Sequence, residues 1–163
     1  MIKNKSYPHT RTRKGLNDLI SLYELNYIKL MKIFPIQELK EEINFLLPEG
    51  ISNSEIRISI KRHSKHTSKL TLYKSNSIKY SKNTEMEIFI YHDARMAEVR
   101  KFNGQRQFWL RNKYPNKYMS SKDEKFQWNI FFSEFLTHSK KHGLSSLETV
   151  SYTHLTLPTI YSV

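Results

Sequence analysis

From Leu16 onward the apolar residues recur at helical spacing. Leu16, Leu19, Ile20, Tyr23, Tyr27, Leu30, Met31 and Phe34 form one stripe of a 3.6-residue period. Pro35 ends that run and suits the first turn of a second, shorter helix. There Ile36, Leu39, Ile43, Leu46 and Leu47 supply the apolar side, and Pro48-Glu49-Gly50 supplies the stop. Beyond Gly50 the period falls to two. Ile56, Ile58 and Ile60 alternate with Arg57, Ser59 and Lys61; Leu70 and Leu72 alternate with Thr71 and Tyr73; Met86, Ile88 and Ile90 alternate with Glu87 and Phe89. Two further runs, 96–101 and 105–111, are joined by Asn103-Gly104, which favours a two-residue hairpin because both residues tolerate positive φ. In the final helix Trp128, Phe131, Phe132, Phe135 and Leu136 make the apolar face. Ser121 and Glu124 have the spacing of a capping box at its start, and Gly143 sits where a left-handed residue would close its end. These elements predict an α+β fold: two N-terminal helices, a five-stranded, mostly antiparallel meander sheet, and a C-terminal helix packed on the sheet.

The two ends of the chain stand apart from this pattern. Residues 1–15 include Lys3, Lys5, Arg11, Arg13 and Lys14 without an acid, and read as a basic, flexible arm. Residues 16–147 suit a single α+β domain. Within 148–163, the run Val150-Ser151-Tyr152-Thr153-His154-Leu155-Thr156-Leu157-Pro158-Thr159 resembles an in-frame translation of the transposase adapter used to prepare sequencing libraries. A chance match over that run is roughly one in a hundred billion at ordinary residue frequencies. The segment reads as a fusion scar that has replaced the native C-terminal residues. Truncation after Thr149 is therefore expected to lower the melting midpoint by less than about 2 °C, as measured by calorimetry on the two chains.

Composition then narrows the choice of partners. Formal net charge is +12, and the residues from Val150 onward add no Lys, Arg, Asp or Glu to it. Such a field favours a phosphorylated ligand or nucleic acid. Abundant Lys, Asn and Ile with little Ala and Gly is also what an AT-rich genome encodes, so charge alone leaves both sources open. There is no cysteine, hence no disulfide framework and no thiolate chemistry. The N-terminus lacks a secretory apolar run, and no stretch approaches the roughly 18 apolar residues of a membrane helix. A cytoplasmic protein without a membrane partner is expected. His63, His66, His92, His138 and His142 show no zinc-ligand spacing, and the scattered glycines make no phosphate loop. Neither a metal nor a cofactor is expected.

Two words carry the candidate chemistry. The first, Tyr91-His92-Asp93-Ala94-Arg95-Met96-Ala97-Glu98-Val99, contains both of the chain's alanines and places His92-Asp93 at a hairpin turn. There His92 is either an exposed turn residue or a base or ligand oriented by a carboxylate. The second, Lys122-Asp123-Glu124-Lys125-Phe126-Gln127-Trp128-Asn129, begins the last helix. At 100° per residue Glu124 and Lys125 fall on the side of Trp128 and Phe132, with Asn129 bordering it. Charged groups there need partners, since unpaired burial is costly. Capping by Glu124 and snorkelling by Lys125 past Trp128 would satisfy that need; so would a polar pocket between helix and sheet. The expected ligand-binding set is His92, Asp93, Glu98, Glu124, Lys125 and Asn129. A weaker nucleic-acid contact is expected from Lys61, Arg62, Lys65 and Lys69, in a basic hairpin turn. Tyr114-Pro115-Asn116-Lys117 has the composition of a simple turn.

These words resemble a known family. Leu22-Tyr23-Glu24-Leu25-Asn26-Tyr27, Tyr91-His92-Asp93-Ala94 with Ala97-Glu98-Val99, Tyr114-Pro115-Asn116-Lys117, and Asp123-Glu124-Lys125 with Gln127 and Asn129, then His142-Gly143, are similar to the YqiB-like family, a domain of unknown function (DUF1249). The resemblance runs in order from about residue 16 to 143. It implies a small cytoplasmic bacterial protein of a single domain, and it supplies no activity. One departure is Arg62 and His66-Thr67, where the family pattern has a Glu and a Tyr-Thr. Three readings follow. The favoured one is a binding or regulatory domain with a polar, anion- or phosphate-suited site. Another is a hydrolase-like enzyme using His92-Asp93 as base and Lys125 to stabilise an anion. The third is an interaction module presenting Phe126 and Ile130 from the last helix. Oligomeric state is left open.

Overall fold

The first apolar stripe folds as a helix, α1 (Leu16–Ile33), which buries Leu19, Tyr23, Asn26 and Leu30. The computed structural model describes residues 15–34, 42–75, 82–106, 113, 115, 117 and 123–145. Within these residues the chain is α+β, with two helices and one antiparallel sheet. The long strands are β1 (Glu42–Glu49), β2 (Ser52–Arg62), β3 (Thr67–Ser75), β4 (Thr84–Tyr91) and β5 (Met96–Phe102). The short β6 (Gln105–Arg106) pairs with β5, α2 (Glu124–His142) follows, and β7 (Leu144–Ser145) pairs with β1. The sheet order is β6-β5-β4-β3-β2-β1-β7, every pairing antiparallel.

The expected second helix is a correction. Residues 35–41 lie outside the described residues, but Ile43, Leu46 and Leu47 belong to β1. Ile43 and Leu47 are four apart, a separation that satisfies a helical and a strand period alike. Phe45 decides between them: Ile43, Phe45 and Leu47 are buried in strict alternation, while Leu46 is 41% exposed on the other face. The sheet thus gains β1 and β7 beyond the five expected strands.

The start and end of α2 also differ from expectation. The helix begins at Glu124 with Asp123 as its N-cap, so Glu124 is not at the third helical position that a capping box needs. Ser121 lies outside the described residues, as do most of the 105–111 run and half of the Tyr114–Lys117 turn. Gly143 has φ −61° rather than a left-handed value. Its lack of a side chain matters for space: a Cβ there would come 2.5 Å from the backbone oxygen of Ser139. Gly143→Ala should destabilise the fold by about 1–3 kcal/mol through this overlap, read as a shift in the urea midpoint.

One face of the sheet carries the core. Ile56 and Ile58, Leu70 and Leu72, Met86, Ile88 and Ile90, and Ala97 and Val99 meet Leu30, Phe34, Trp128, Phe132 and Leu136 of the helical layer. α2 starts beside β5, where Asn129 bonds Val99, and ends beside β1, where His138 bonds the Pro48 carbonyl. Lys29 ties the helices together by donating to Ser133 and Thr137. Phe126 is buried with Leu19 and Tyr23 of α1, and Ile130 packs on the same cluster. The expected presentation of Phe126 and Ile130 to a partner is thereby overturned, because α1 already covers them. No helix among the described residues is long and apolar enough to cross a membrane.

Candidate functional site

Asn103 and Gly104 both take positive φ, 46° and 84°, and turn β5 into β6 as their sequence suggests. A less visible irregularity lies just before them. Glu87 pairs with Lys101 and Ile88 pairs with Val99, so Arg100 is an extra residue in β5. This bulge resets the alternation. Arg100 and Lys101 both come to the outer face, and Phe102 turns inward to stack on Trp128 at 5.6 Å. Cations that simple alternation would divide between faces are gathered on one.

The outer face around the bulge combines aromatic rings with these cations. The Arg100 guanidinium lies 4.5 Å from the Phe89 ring centroid and 5.8 Å from that of Tyr91. Such contacts are attractive because the ring face is electron-rich. Glu87 Oε1 takes both Lys69 Nζ at 3.2 Å and Lys101 Nζ at 3.4 Å. Burial alone would raise the Glu87 pKa, but those ammonium groups outweigh it and hold the carboxyl below its ordinary value. Glu87, Phe89, Arg100 and Arg106 line a small cleft.

On the same face, at the start of β5, sits Glu98. Its carboxylate accepts from Lys125 Nζ at 2.5 Å, Arg100 Nε at 3.2 Å, Tyr91 Oη at 3.2 Å and Tyr23 Oη at 3.4 Å. β6 pairs only with Lys101 and Phe102, so the first half of β5 lies at the sheet edge among the described residues. α1 and α2 close around it there, which brings Tyr23 and Lys125 to a side chain on the outer pleat. Burial opposes ionisation of Glu98, but Lys125 and Arg100 together hold its pKa below the ordinary value. Burial and the Glu98 charge push Tyr91 up to about 12 and Tyr23 higher still, so both phenols stay protonated donors. Asn129 serves the same edge: its Oδ1 accepts from Val99 N at 3.0 Å, and its Nδ2 donates to the Lys125 carbonyl at 2.8 Å.

Glu98, Lys125 and Asn129 therefore come together. His92 has other partners. It ends β4 in the 92–95 turn, its backbone N–H donates to the His66 carbonyl, and its Nε2 lies 2.8 Å from Ser68 Oγ. Tyr27 packs edge-on against its ring. Tyr23 and Tyr27 are one turn apart on α1, so the His92 and Glu98 groupings lie along one helix as neighbours. Asp93 is exposed in the turn. Glu124 accepts from the Trp128 indole N–H at 3.1 Å. Lys61, Arg62 and Lys65 are exposed around the β2–β3 turn, where Arg62 donates to the Ser64 and Lys65 carbonyls. Among the described residues no three His, Cys, Asp or Glu side chains lie together as a metal would require.

Burial, then the Arg62 charge, lowers the His92 pKa below its ordinary 6.5. The neutral ring is favoured in the fold, so this contribution to stability is present above pH 6.5 and lost as pH falls through the lower folded value. Stability measured against pH should show a first loss beginning below about pH 6.5, and His92→Gln should remove it.

Comparison with known proteins bears on the chain as a whole. A family model described as "Protein of unknown function (DUF1249)" matches residues 29–145. The chain is similar to the Uncharacterized protein YqiB of Escherichia coli strain K12: 28% identity over 131 residues, covering 80% of this chain and 91% of that protein. The proteins of the same name from Escherichia coli O6:H1 and O157:H7 match to the same extent. No solved structure matches.

Proposed function

Since the chain belongs to the DUF1249 family of proteins of unknown function, we propose from its own geometry that it is a binding domain for an anionic ligand, taken on the outer face of the sheet. The observation that carries this reading is Arg100. Its guanidinium is fixed over Phe89 and tied to Glu98 through Nε only. Its terminal nitrogens have no hydrogen-bond partner among the described residues, and Arg106 across the cleft is exposed. Two guanidinium groups, one with free terminal donors among the described residues and the other exposed, suit phosphate oxygens, which they can grip as a fork. In this reading Glu98 and Lys125 position Tyr91 and Arg100 and leave ligand contact to them. Asn129 and Glu124 hold the helix and the strand edge, and His92 and Asp93 form the rim. Lys61 and Lys69 add charge on the β2–β3 side.

The test is titration calorimetry with inorganic polyphosphate. Binding should weaken with salt and fall sharply in Arg100→Gln/Arg106→Gln, a change that leaves the Lys125–Glu98 pair in place. A wild-type protein that binds no polyphosphate at low salt would overturn the reading.

A second reading has one observation in its favour. Ser68 Oγ and His92 Nε2 stand at the separation of a nucleophile and its base, and the lowered His92 pKa keeps the ring neutral, as a base must be. Against it, Ser68 is only 6% exposed and the Asp93 side chain is out in the turn. A fluorophosphonate probe is expected to leave Ser68 unlabelled; a stoichiometric adduct would reverse the order of the two readings.

A further inference from the structure

We infer that the cleft between β4, β5 and β6 seats an unstacked nucleobase of a single-stranded nucleic acid. This rests on the anion reading above and narrows it to a ligand with rings as well as phosphates. Three features of the cleft carry it beyond charge.

The first is its floor. Phe89 occupies the polar side of the β4 alternation, where its neighbours in register are Lys69 and Glu98. It is partly exposed there, and Arg100 already lies against it as a planar cation would. An aromatic ring and a guanidinium plane are the two surfaces on which proteins stack single-stranded bases, and a ring alone would be of no use to a simple polyanion. Tyr91, two residues along the same strand, offers a second ring about 7 Å away, the repeat of alternate strand residues.

The second is the acceptor in its wall. Both ammonium groups on Glu87 bind Oε1, so among the described residues Oε2 is left to accept. A carboxylate oxygen inside an anion-binding cleft is out of place for phosphate alone. It suits the exocyclic amine of cytosine, adenine or guanine, and uracil and thymine lack that donor.

The third is the charge around it. Lys61, Lys69 and Phe89 stand in one row across β2, β3 and β4, and Glu87, Lys101 and Arg106 stand in the next row across β4, β5 and β6. Cations thus flank the aromatic centre on both sides, as a backbone crossing the strands would need. The two carboxylates of the patch, Glu87 and Glu98, are each shared by two cations, which leaves the patch positive.

The experiment compares fluorescein-labelled 12-mers of cytidine, of uridine and of abasic ribose phosphate with inorganic polyphosphate, by anisotropy on the full chain. Oligocytidine should bind at least about fivefold more tightly than oligouridine, and the abasic strand should behave like polyphosphate. Phe89→Ala should weaken oligocytidine binding about tenfold, the loss of one stacked base, and weaken polyphosphate binding by a much smaller factor, because Arg100 keeps its bond to Glu98. Arg106→Gln, at an exposed position, should weaken both and serves as a second variant if Phe89→Ala does not fold. Equal binding of all four probes, or an equal effect of Phe89→Ala on all four, would overturn the base site and leave the anion reading standing. Absence of binding to any probe would overturn both. A matching deoxyribose series identifies whether the 2′-hydroxyl contributes.

Discussion

Lys125→Met should cost about 3 kcal/mol of folding stability, roughly a 10 °C fall in melting midpoint for a domain of this size. Methionine keeps the aliphatic stem in place and removes only the ammonium. Glu98 would then stay among α1, α2 and β5 without its nearest counter-charge. Its side chain is 11% exposed and that of Lys125 is 10% exposed, so solvent does little to screen the loss. Arg100 and the two tyrosines remain, which places the cost at the low end of the usual range for breaking a buried pair. Glu98→Gln in the same background should recover more than half of it, since an amide needs no counter-charge.

The pH dependence provides a second check with a definite sign. In the native pair the folded pKa of Glu98 lies below its ordinary 4.5. Its stabilisation is therefore complete above pH 4.5 and lost as pH falls through the folded value. Without Lys125, burial has less charge set against it, and the carboxyl takes up its proton at higher pH. The difference in stability between native chain and variant should thus be greatest at neutral pH and shrink towards pH 4. A difference that stays constant down to acid would mean that Lys125 acts by packing alone.

Asn129→Ala is expected to cost about 2–3 kcal/mol, the penalty for an unsatisfied buried donor together with a small void. The residue has no exposed surface, and its amide answers the Val99 N–H at the strand edge and the Lys125 carbonyl in the helix. Its own carbonyl accepts from buried Asn26 at 3.2 Å, so α1 is tied to the same point. Hydrogen exchange would localise the effect: the Val99 amide should lose protection in the variant while Ile58 in the sheet centre keeps it. Asn129→Asp retains the acceptor for Val99 but loses the donor, and should restore only part of the stability.

The two signature words were legible in the sequence as places where polar chemistry gathers, and Glu98, Lys125 and Asn129 do converge. The partners that explain them were harder to see. Tyr23 lay on the buried stripe of α1 and read as core, and Asn26 was the polar residue on that same side, a signal that something buried needed a hydrogen bond. Phe89 likewise carried a signal, an aromatic on the polar side of β4. Arg100 carried none, because a bulge depends on how two strands pair and has no local spelling here. Ser68 gave no sign either: a serine in a strand becomes a partner of His92 only when β3 and β4 align.

By itself the sequence determined the elements whose period was unambiguous, α1, the meander from β2 to β6 and α2, because side-chain direction in a helix or strand follows from local geometry. It also determined the Asn103-Gly104 turn, where φ preference suffices, and the basic charge. Tertiary structure decided the rest. It made β1 a strand, since Ile43 and Leu47 serve both periods and only the neighbouring β2 and β7 supply the hydrogen bonds that select one. It turned Glu98, Lys125 and two tyrosines into one buried network, and it set Arg100 over Phe89. Each of those contacts joins residues on different elements or across a strand pair. Their energy depends on burial and distance, quantities that exist only once the helices have closed over the edge of the sheet.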